Sequence, residues 1–212
     1  MDLSAIKRKN QEFWEKCFDK SDCDYQRLAE KDWKPLIQWL HENDVRNILD
    51  LGCGYGHWSI VLARAGFSVK AVDYARSAIG ILKKWSTEES LVIDCEINTV
   101  QDIISESEFD AVICNSVLDH MMREDAQVAM SNIGRVLKRG GIAYVSFDGP
   151  EKDSDTYTIL DDGTRHYIAG EFKNMLWRFY TDEEIRGLCG NFRVMRFNTQ
   201  HSGKRDIWIQ KL

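Results

Sequence analysis

Hydrophobic positions recur along this chain in two alternating patterns, which predict strands and helices in turn. Short apolar runs begin at Ile48, Val69, Leu91, Phe109 and Ile142. Between these runs, apolar residues recur three and four positions apart, as they do on one face of a helix. Strands that alternate with helices predict a parallel sheet with helices on both faces. We therefore predict one doubly wound α/β domain over residues 1–212.

Two regions depart from this alternation. Residues 1–44 contain apolar positions at helical spacing and precede the first strand. Residues 149–180 predict instead a β-hairpin, with Asp162-Gly163 in its turn, followed by an aromatic-rich segment. Near the end of the chain, the runs at Val194 and Ile207 flank a turn, so we expect an antiparallel pair that closes the sheet.

The most informative stretch runs from Asn47 to Asp73. A short strand is followed by Gly52, Gly54 and Gly56, then by a helix and a second strand that ends at Asp73. This unit is the nucleotide-binding half of a doubly wound sheet. Glycines allow a ligand to approach the backbone, and the acidic residue at the strand end accepts hydrogen bonds from ribose hydroxyls.

Asp50 indicates which nucleotide is bound. A carboxylate two residues before the first glycine disfavours a pyrophosphate and favours a sulfonium cofactor that carries an amino group. At this point the sequence resembles the class I S-adenosylmethionine-dependent methyltransferases, whose first motif is acidic-x-Gly-x-Gly-x-Gly. The stretches Glu96-Ile97-Asn98 and Arg135-Val-Leu-Lys-Arg-Gly-Gly141 extend the resemblance, which covers roughly residues 45–148. Within the family, the chain looks most like the tellurite-resistance-type and related small-molecule branch.

The resemblance implies a Rossmann-like, mostly parallel seven-stranded sheet with an antiparallel C-terminal strand. It implies S-adenosylmethionine as the cofactor, with Glu96 accepting the adenine amino group and Ile97 packing on the ring. The helices of residues 1–44 would fold over the cofactor as a lid, with Trp14, Tyr25 and Trp33 as its aromatic side chains. The residues expected at the cofactor are Trp14, Asp50, Gly52, Cys53, Gly54, Gly56, Trp58, Asp73, Tyr74, Glu96, Ile97 and Asn115.

Methyl transfer from a sulfonium is an in-line displacement, so the protein chiefly aligns the reactants. Alignment alone can supply about 7 to 11 kcal/mol of the barrier. A base is needed only for a protonated nucleophile, and we predict His120 or His166 for this catalytic role. Residues 149–180 are expected to form an inserted substrate cap, in which Arg178 could receive an anionic group. The predicted acceptor is a small molecule.

Composition limits the partners and the compartment. The net charge of −6 argues against a nucleic-acid backbone as the main partner. No apolar run approaches the roughly 20 residues of a membrane span, and the chain start lacks the apolar core of a signal peptide, so we expect a cytoplasmic protein. The six cysteines lack metal-ligand spacing, and we expect neither disulfides nor a structural metal.

Two other functions stay open at this level. A nicotinamide-dependent oxidoreductase would share the glycine loop and Asp73. Asp50 and the Glu96-Ile97-Asn98 stretch argue against this function. A non-catalytic S-adenosylmethionine-binding protein would keep the cofactor residues and lack an open substrate cavity. The residues do not name the methyl acceptor or the oligomeric state.

Overall fold

A computed structural model describes residues 2–19, 34–150 and 156–212. The predicted lid residues Tyr25 and Trp33 lie outside this part of the chain. The helices are α1 (Leu3–Asp19), α2 (Lys34–Glu42), α3 (His57–Arg64), α4 (Arg76–Glu88), α5 (Arg123–Val136) and α6 (Asp182–Leu188), with a short 3-10 turn at Leu118–His120. The strands are β1 (Asn47–Leu51), β2 (Ser68–Asp73), β3 (Ile93–Ile97), β4 (Phe109–Asn115), β5 (Leu137–Phe147), β6 (Tyr157–Ile159), β7 (Arg165–Tyr167), β8 (Leu176–Trp177), β9 (Phe192–Thr199) and β10 (Arg205–Lys211).

The main sheet has seven strands in the order β3-β2-β1-β4-β5-β10-β9. Strands β1 to β5 pair in parallel, whereas β10 is antiparallel to both β5 and β9. Helices α2 and α3 pack through Leu40 and Leu62 against one face. Helices α5 and α6 pack through Ile133 and Ile185 against the other. The predicted doubly wound sheet with an antiparallel C-terminal strand is therefore confirmed.

Local sequence signals set several element boundaries. Gly56, with φ 82°, turns the chain from the glycine loop into α3, and Gly66, with φ 89°, follows the end of that helix. Helix α6 begins with a capping box, because the Thr181 hydroxyl accepts from the backbone N–H of Glu184 and the Glu184 carboxylate accepts from the N–H of Thr181. These boundaries agree with the sequence pattern.

A second sheet of three strands is inserted in the chain between β5 and β9 of the main sheet. Strands β6 and β7 form the predicted hairpin, with Asp162 and Gly163 in the turn, and β8 adds to the edge of β7. The strand β8 was absent from the sequence prediction because it is only two residues long. Aromatic side chains of this segment, including Trp177, pack with Phe13 and Trp14 of α1.

Helix α1 lies over the carboxyl ends of the parallel strands and is fastened on two sides. The Glu15 carboxylate accepts hydrogen bonds from the backbone N–H groups of Arg76 (2.8 Å) and Ser77 (2.9 Å) at the start of α4. Asn10 donates to the His120 carbonyl oxygen (3.0 Å) and accepts from the N–H of Leu176 (2.8 Å). The helix is thereby held between α4 on one side and β8 on the other.

Two further features of the described residues are the apolar length of the helices and the state of the cysteines. None of the helices over residues 2–19, 34–150 and 156–212 combines the length and apolarity that crossing a bilayer requires. Among the described cysteines, Cys53, Cys95, Cys114 and Cys189 carry free thiols.

Candidate functional site

A cavity of about 310 Å³ lies at the carboxyl ends of β1 to β4, beneath α1. Open α/β sheets bind ligands at this edge, where the strand order reverses. The volume is at the lower end of the range for small-molecule sites, about 300 to 1,000 Å³. Its lining residues are Lys7, Asn10, Gln11, Trp14, Phe18, Gly52, Gly54, Asp73, Tyr74, Thr99, Val100, Gln101, Asp102, Ser116, Val117, His120, Met121, Asp125 and Leu176.

The glycine loop supplies one wall of the cavity. Gly52 has φ 72°, and a Cβ there would lie 2.6 Å from Val117 Cγ2, so only glycine fits between the loop and the residues after β4. Gly52 and Gly54 line the cavity as predicted, whereas Cys53 and Gly56 are not among its lining residues. A Cβ at Gly56 would overlap the Leu82 side chain, so this glycine serves the packing of α4 on the loop.

Asp73 lies at the end of β2 and lines the cavity beside Tyr74. Its carboxylate accepts from the backbone N–H of Gly54 (2.9 Å) and from that of Ala75 (2.9 Å). Burial raises the pKa of Asp73, and these two hydrogen bonds oppose that rise. The carboxylate therefore also fixes the shape of the glycine loop, a second role that sequence reasoning missed.

Asp50 lies beneath the loop rather than on the cavity wall. It is 2% exposed and accepts a 2.6 Å hydrogen bond from the Ser59 hydroxyl of α3. Burial raises the pKa of Asp50 to about 7. The sequence argument treated this carboxylate as a fixed negative charge facing the ligand. That view needs correction, because a strand residue with its side chain turned toward α3 is sheltered from the cavity.

The two residues predicted at the adenine, Glu96 and Ile97, do not line this cavity. Glu96 turns away from the cavity, because it binds Lys70 (2.7 Å) on the neighbouring strand and lines a separate depression. Ile97 is 42% exposed and is not a lining residue. The turn that follows β3 lines the cavity instead, through Thr99, Val100, Gln101 and Asp102. Sequence reasoning placed the contact on the strand, whereas the chain reaches the cavity only after the strand ends.

Asn115 and Trp58 lie on the α2 side of the sheet, at another depression. Asn115 Oδ1 accepts from the Ser146 hydroxyl (2.9 Å) and from Lys204 Nζ (3.1 Å). Trp58 packs on Tyr144, with ring centroids 5.1 Å apart. The next residue after Asn115 is Ser116, which does line the cavity; it lies just beyond β4 and has a left-handed backbone conformation, with φ 52°.

Aromatic residues of α1 form the roof of the cavity. Trp14 lies against His120, with ring centroids 4.7 Å apart, and Phe18 lies against Tyr55 at 4.8 Å. Trp14 was predicted as a lid residue and lines the cavity, and Phe18 was missed. The amphipathic pattern of α1 predicted a buried face, but which neighbour that face would contact depends on the tertiary fold.

The two predicted catalytic histidines are in different places. His120 follows β4 and lines the cavity, whereas His166 lies on β7 in the small sheet and is not a lining residue. Burial lowers the pKa of His166, as does the nearby Lys9. Arg178 is buried, and it pairs with Glu184 at 2.5 Å and donates to the Asp162 carbonyl oxygen. These bonds occupy the guanidinium that was predicted to receive an anionic group.

A polar cluster surrounds His120 at the ends of β4 and β5. His120 Nδ1 is 3.3 Å from the Leu176 carbonyl oxygen, and Nε2 is 3.8 Å from Asp148 Oδ2. Burial lowers the pKa of His120, but the charges of Asp119 and Asp148 outweigh it, and the net direction is upward. Burial raises the pKa of Asp119. Burial also acts to raise that of Asp148, yet its polar neighbours hold it at about 2.

Lys204 extends this cluster from the turn between β9 and β10. Its Nζ donates to the Ser116 hydroxyl (2.8 Å) and lies 3.6 Å from Asp148 Oδ1. Ser116, with φ 52°, donates in turn to Asp148 Oδ1 (2.8 Å). A left-handed backbone conformation at a non-glycine residue is uncommon and is concentrated at functional sites. No sequence motif predicted Lys204, because it comes from the last hairpin of the main sheet.

The sheet order and a cavity at the carboxyl ends of the parallel strands are those of a doubly wound, ligand-binding α/β domain. Residues 48–141 match the family of methyltransferase domains, which confirms the resemblance stated from the sequence. A ubiquinone biosynthesis O-methyltransferase from Rickettsia bellii is 33% identical over 132 residues, or 61% of this chain and 53% of that protein. The chain thus spans about half the length of the curated relatives it matches.

Solved structures support the same architecture over nearly the whole chain. The PH0226 protein from Pyrococcus horikoshii has a TM-score of 0.75 at 17% identity and covers 92% of this chain and 95% of its own. The 1,6-didemethyltoxoflavin-N1-methyltransferase from Burkholderia thailandensis, solved with 1,6-didemethyltoxoflavin and S-adenosylhomocysteine, has a TM-score of 0.68 at 18% identity and covers 94% and 88%. At these identities the likeness establishes the fold.

Proposed function

We propose that this protein is an S-adenosylmethionine-dependent methyltransferase that acts on a small-molecule nucleophile. The observation that carries the proposal is the cavity of about 310 Å³ where the glycine loop, Asp73 and the turn after β3 meet beneath α1. The match to methyltransferase domains supports it, as does the Burkholderia thailandensis structure, which has this fold and contains bound S-adenosylhomocysteine. The placement in a tellurite-resistance-type branch stays a prediction.

The residues of the cavity fit the cofactor part by part. Gly52 and Gly54 offer a wall without side chains, and Asp73 offers a carboxylate for the ribose hydroxyls. Val100 and Met121 provide apolar contacts for the adenine, in place of the predicted Ile97. When bound, S-adenosylmethionine supplies an electrophilic methyl group on a sulfonium centre. The chain's own contribution is to align that methyl group with the acceptor and to keep water out.

We infer that α1 acts as the lid and that the acceptor approaches from the side of Ser116 and His120. Trp14 and Phe18 shield the cavity from above, while His120 offers a polar group to the acceptor. Residues 156–180 serve the acceptor side indirectly, because Leu176 lines the cavity and aromatic side chains of this segment hold α1. A catalytic role of His166 stays a prediction.

We also propose a cytoplasmic location and no nucleic-acid partner. The free thiols of Cys53, Cys95, Cys114 and Cys189 suit a reducing compartment. The net charge of −6 disfavours binding to a phosphate backbone.

Calorimetry with S-adenosylhomocysteine and with NAD tests the cofactor. We expect S-adenosylhomocysteine to bind with micromolar affinity and NAD to give no heat. Asp73→Ala should weaken binding at least tenfold, because each hydrogen bond to a charged group contributes about 1.5 to 3 kcal/mol. Asp94→Asn, at an exposed carboxylate on β3, is the matched control and should leave the affinity unchanged.

The outcomes separate the competing functions. Binding of NAD without S-adenosylhomocysteine would favour a nicotinamide-dependent oxidoreductase. Binding of S-adenosylhomocysteine with no methyl transfer to any hydroxyl, amine or thiol in a panel of small acceptors would favour a non-catalytic binding protein.

A further inference from the structure

Three side chains at the ends of β4 and β5 face one another across a short gap. One ligand atom from each of Asp119, His120 and Asp148 lies within 4.8 Å of the other two. His120 Nε2 is 3.8 Å from Asp148 Oδ2, a separation too long for a hydrogen bond. Asp119 Oδ1 is buried and has no hydrogen-bond partner among the described residues. An unpaired buried carboxylate oxygen costs free energy unless a cation or a donor satisfies it.

The other polar atoms of these side chains are already held in place. His120 Nδ1 faces the Leu176 carbonyl oxygen at 3.3 Å, and since a carbonyl only accepts, Nδ1 carries a proton there. Asp119 Oδ2 accepts from the N–H of Asp148 at 2.8 Å, and Asp148 Oδ1 accepts from the Ser116 hydroxyl at 2.8 Å. Metal-binding histidines and carboxylates are oriented by hydrogen bonds of this kind.

We propose that Asp119, His120 and Asp148 bind one divalent cation beside the cavity. Two carboxylates and a neutral imidazole match the charge of such an ion. Metal–ligand distances of about 2.0 to 2.2 Å place neighbouring ligand atoms about 3 to 3.6 Å apart, so binding requires the widest separation, up to 4.8 Å, to close by about 1.2 to 1.8 Å. The mixture of oxygen and imidazole nitrogen suits first-row ions such as Mn²⁺ and Zn²⁺.

Chain spacing did not indicate this site, because Asp148 lies far along the chain from Asp119 and His120. The metal expectation rested on the spacing of cysteines, whereas these ligands come from the turns after two neighbouring parallel strands. Lys204 Nζ lies 3.6 Å from Asp148 Oδ1, whereas His120 Nε2 faces Asp148 Oδ2. The lysine and the histidine thus approach different oxygens of this carboxylate.

The position of the ion gives it a chemical role that rests on the proposed function. His120 lines the cavity, so a coordinated ion stands where the acceptor approaches. An acceptor hydroxyl bound to the ion loses its proton to solvent water more readily, because the ion stabilises the oxygen's negative charge. His120 then acts as a ligand in its neutral form and not as the base.

Binding of Mn²⁺ to the full chain tests the proposal without any methyl transfer. Protein is stripped with EDTA, the chelator is removed, and free Mn²⁺ is measured by electron paramagnetic resonance during titration. We expect one ion per chain and displacement by Zn²⁺. Asp148→Asn keeps an acceptor for the Ser116 hydroxyl and should weaken Mn²⁺ binding at least tenfold. Asp125→Asn, at a carboxylate of the same cavity outside the cluster, should leave Mn²⁺ affinity unchanged.

Each outcome bears separately on the ion and on the cofactor. If neither Mn²⁺ nor Zn²⁺ binds while S-adenosylhomocysteine does, the cluster is an imidazolium–carboxylate pair and the proposal is overturned. Equal Mn²⁺ affinity in Asp148→Asn and the parent protein would also overturn it. If Mn²⁺ binds as expected and S-adenosylhomocysteine does not, the ion site stands and the proposed function fails.

Discussion

The two sides of the cavity are built in different ways. Most of the cofactor side lies in residues 47–73, a continuous β1–loop–α3–β2 unit whose parts are neighbours in sequence, and the turn after β3 completes it. The acceptor side is assembled from α1, the turn after β4, the end of β5, β8 and the β9–β10 turn. The first side depends on local backbone conformation, and the second depends on contacts between distant segments. We therefore expect the two sides to respond differently to substitution.

The largest effect is expected on the acceptor side, from Arg178→Ala. Arg178 is 6% exposed, binds Glu184, and donates its backbone N–H to the Asp119 carbonyl oxygen. Removing one partner of a buried pair costs about 3 to 5 kcal/mol, and the partial exposure of Glu184 places the loss near 3 kcal/mol. Urea unfolding measures this loss in the free energy of unfolding. Unchanged stability with lost methyl transfer would instead return Arg178 to an anion-binding role.

On the cofactor side, Gly52→Ala should have the most direct effect on stability and cofactor binding. The new Cβ meets Val117 and φ is 72°, so strain and overpacking together should cost about 2 to 3 kcal/mol. S-adenosylhomocysteine affinity should fall at least tenfold, as calorimetry would show. Gly80→Ala in α4, where a Cβ meets nothing within 4 Å, should instead be neutral or stabilising by up to about 1 kcal/mol. Equal effects of the two substitutions would contradict the assignment of the loop.

Asp50, on the cofactor side, should make the stability of the protein depend on pH. Its pKa rises from 3.8 in the unfolded chain to about 7 in the fold, so between these values the folded state binds the extra proton. Asp50 therefore contributes to the free energy of unfolding at low pH. This contribution is lost as the pH rises toward 7, by up to about 1.4 kcal/mol per pH unit. Asp50→Asn should abolish this dependence in urea unfolding at pH 5 and 8. A variant with the same pH profile as the parent protein would exclude Asp50 as its source.

The smallest effect is expected where the acceptor-side roof meets α4. Glu15→Ala leaves the N–H groups of Arg76 and Ser77 without their carboxylate, which should cost about 1 kcal/mol. Looser anchoring of α1 should also speed release of S-adenosylhomocysteine, measured by stopped flow. Glu12→Ala is the control, because Glu12 makes only a 3.8 Å contact with Arg8 among the described ion pairs. If release is unchanged, α1 does not gate the cavity.

Much of the fold was predictable because its signals are local. The apolar runs set the strands, the positive-φ glycines set the loop before α3, and Thr181 with Glu184 set the start of α6. Parallel pairing then followed from the alternation of strands and helices. The positions of Gly52, Gly54 and Asp73 at the cavity followed as well, since they close the carboxyl ends of adjacent strands.

The sequence by itself thus determined the sheet, the glycine loop and the family resemblance, while the tertiary structure alone decided which side chains meet. Glu96 carries suitable chemistry but pairs with Lys70, because side chains along a strand alternate between the two faces of the sheet. Asp50 became a buried group and His166 a member of the small sheet for reasons of packing. Asp119 and His120 reached Asp148 because β4 and β5 are neighbours in the sheet, a contact that chain spacing does not encode.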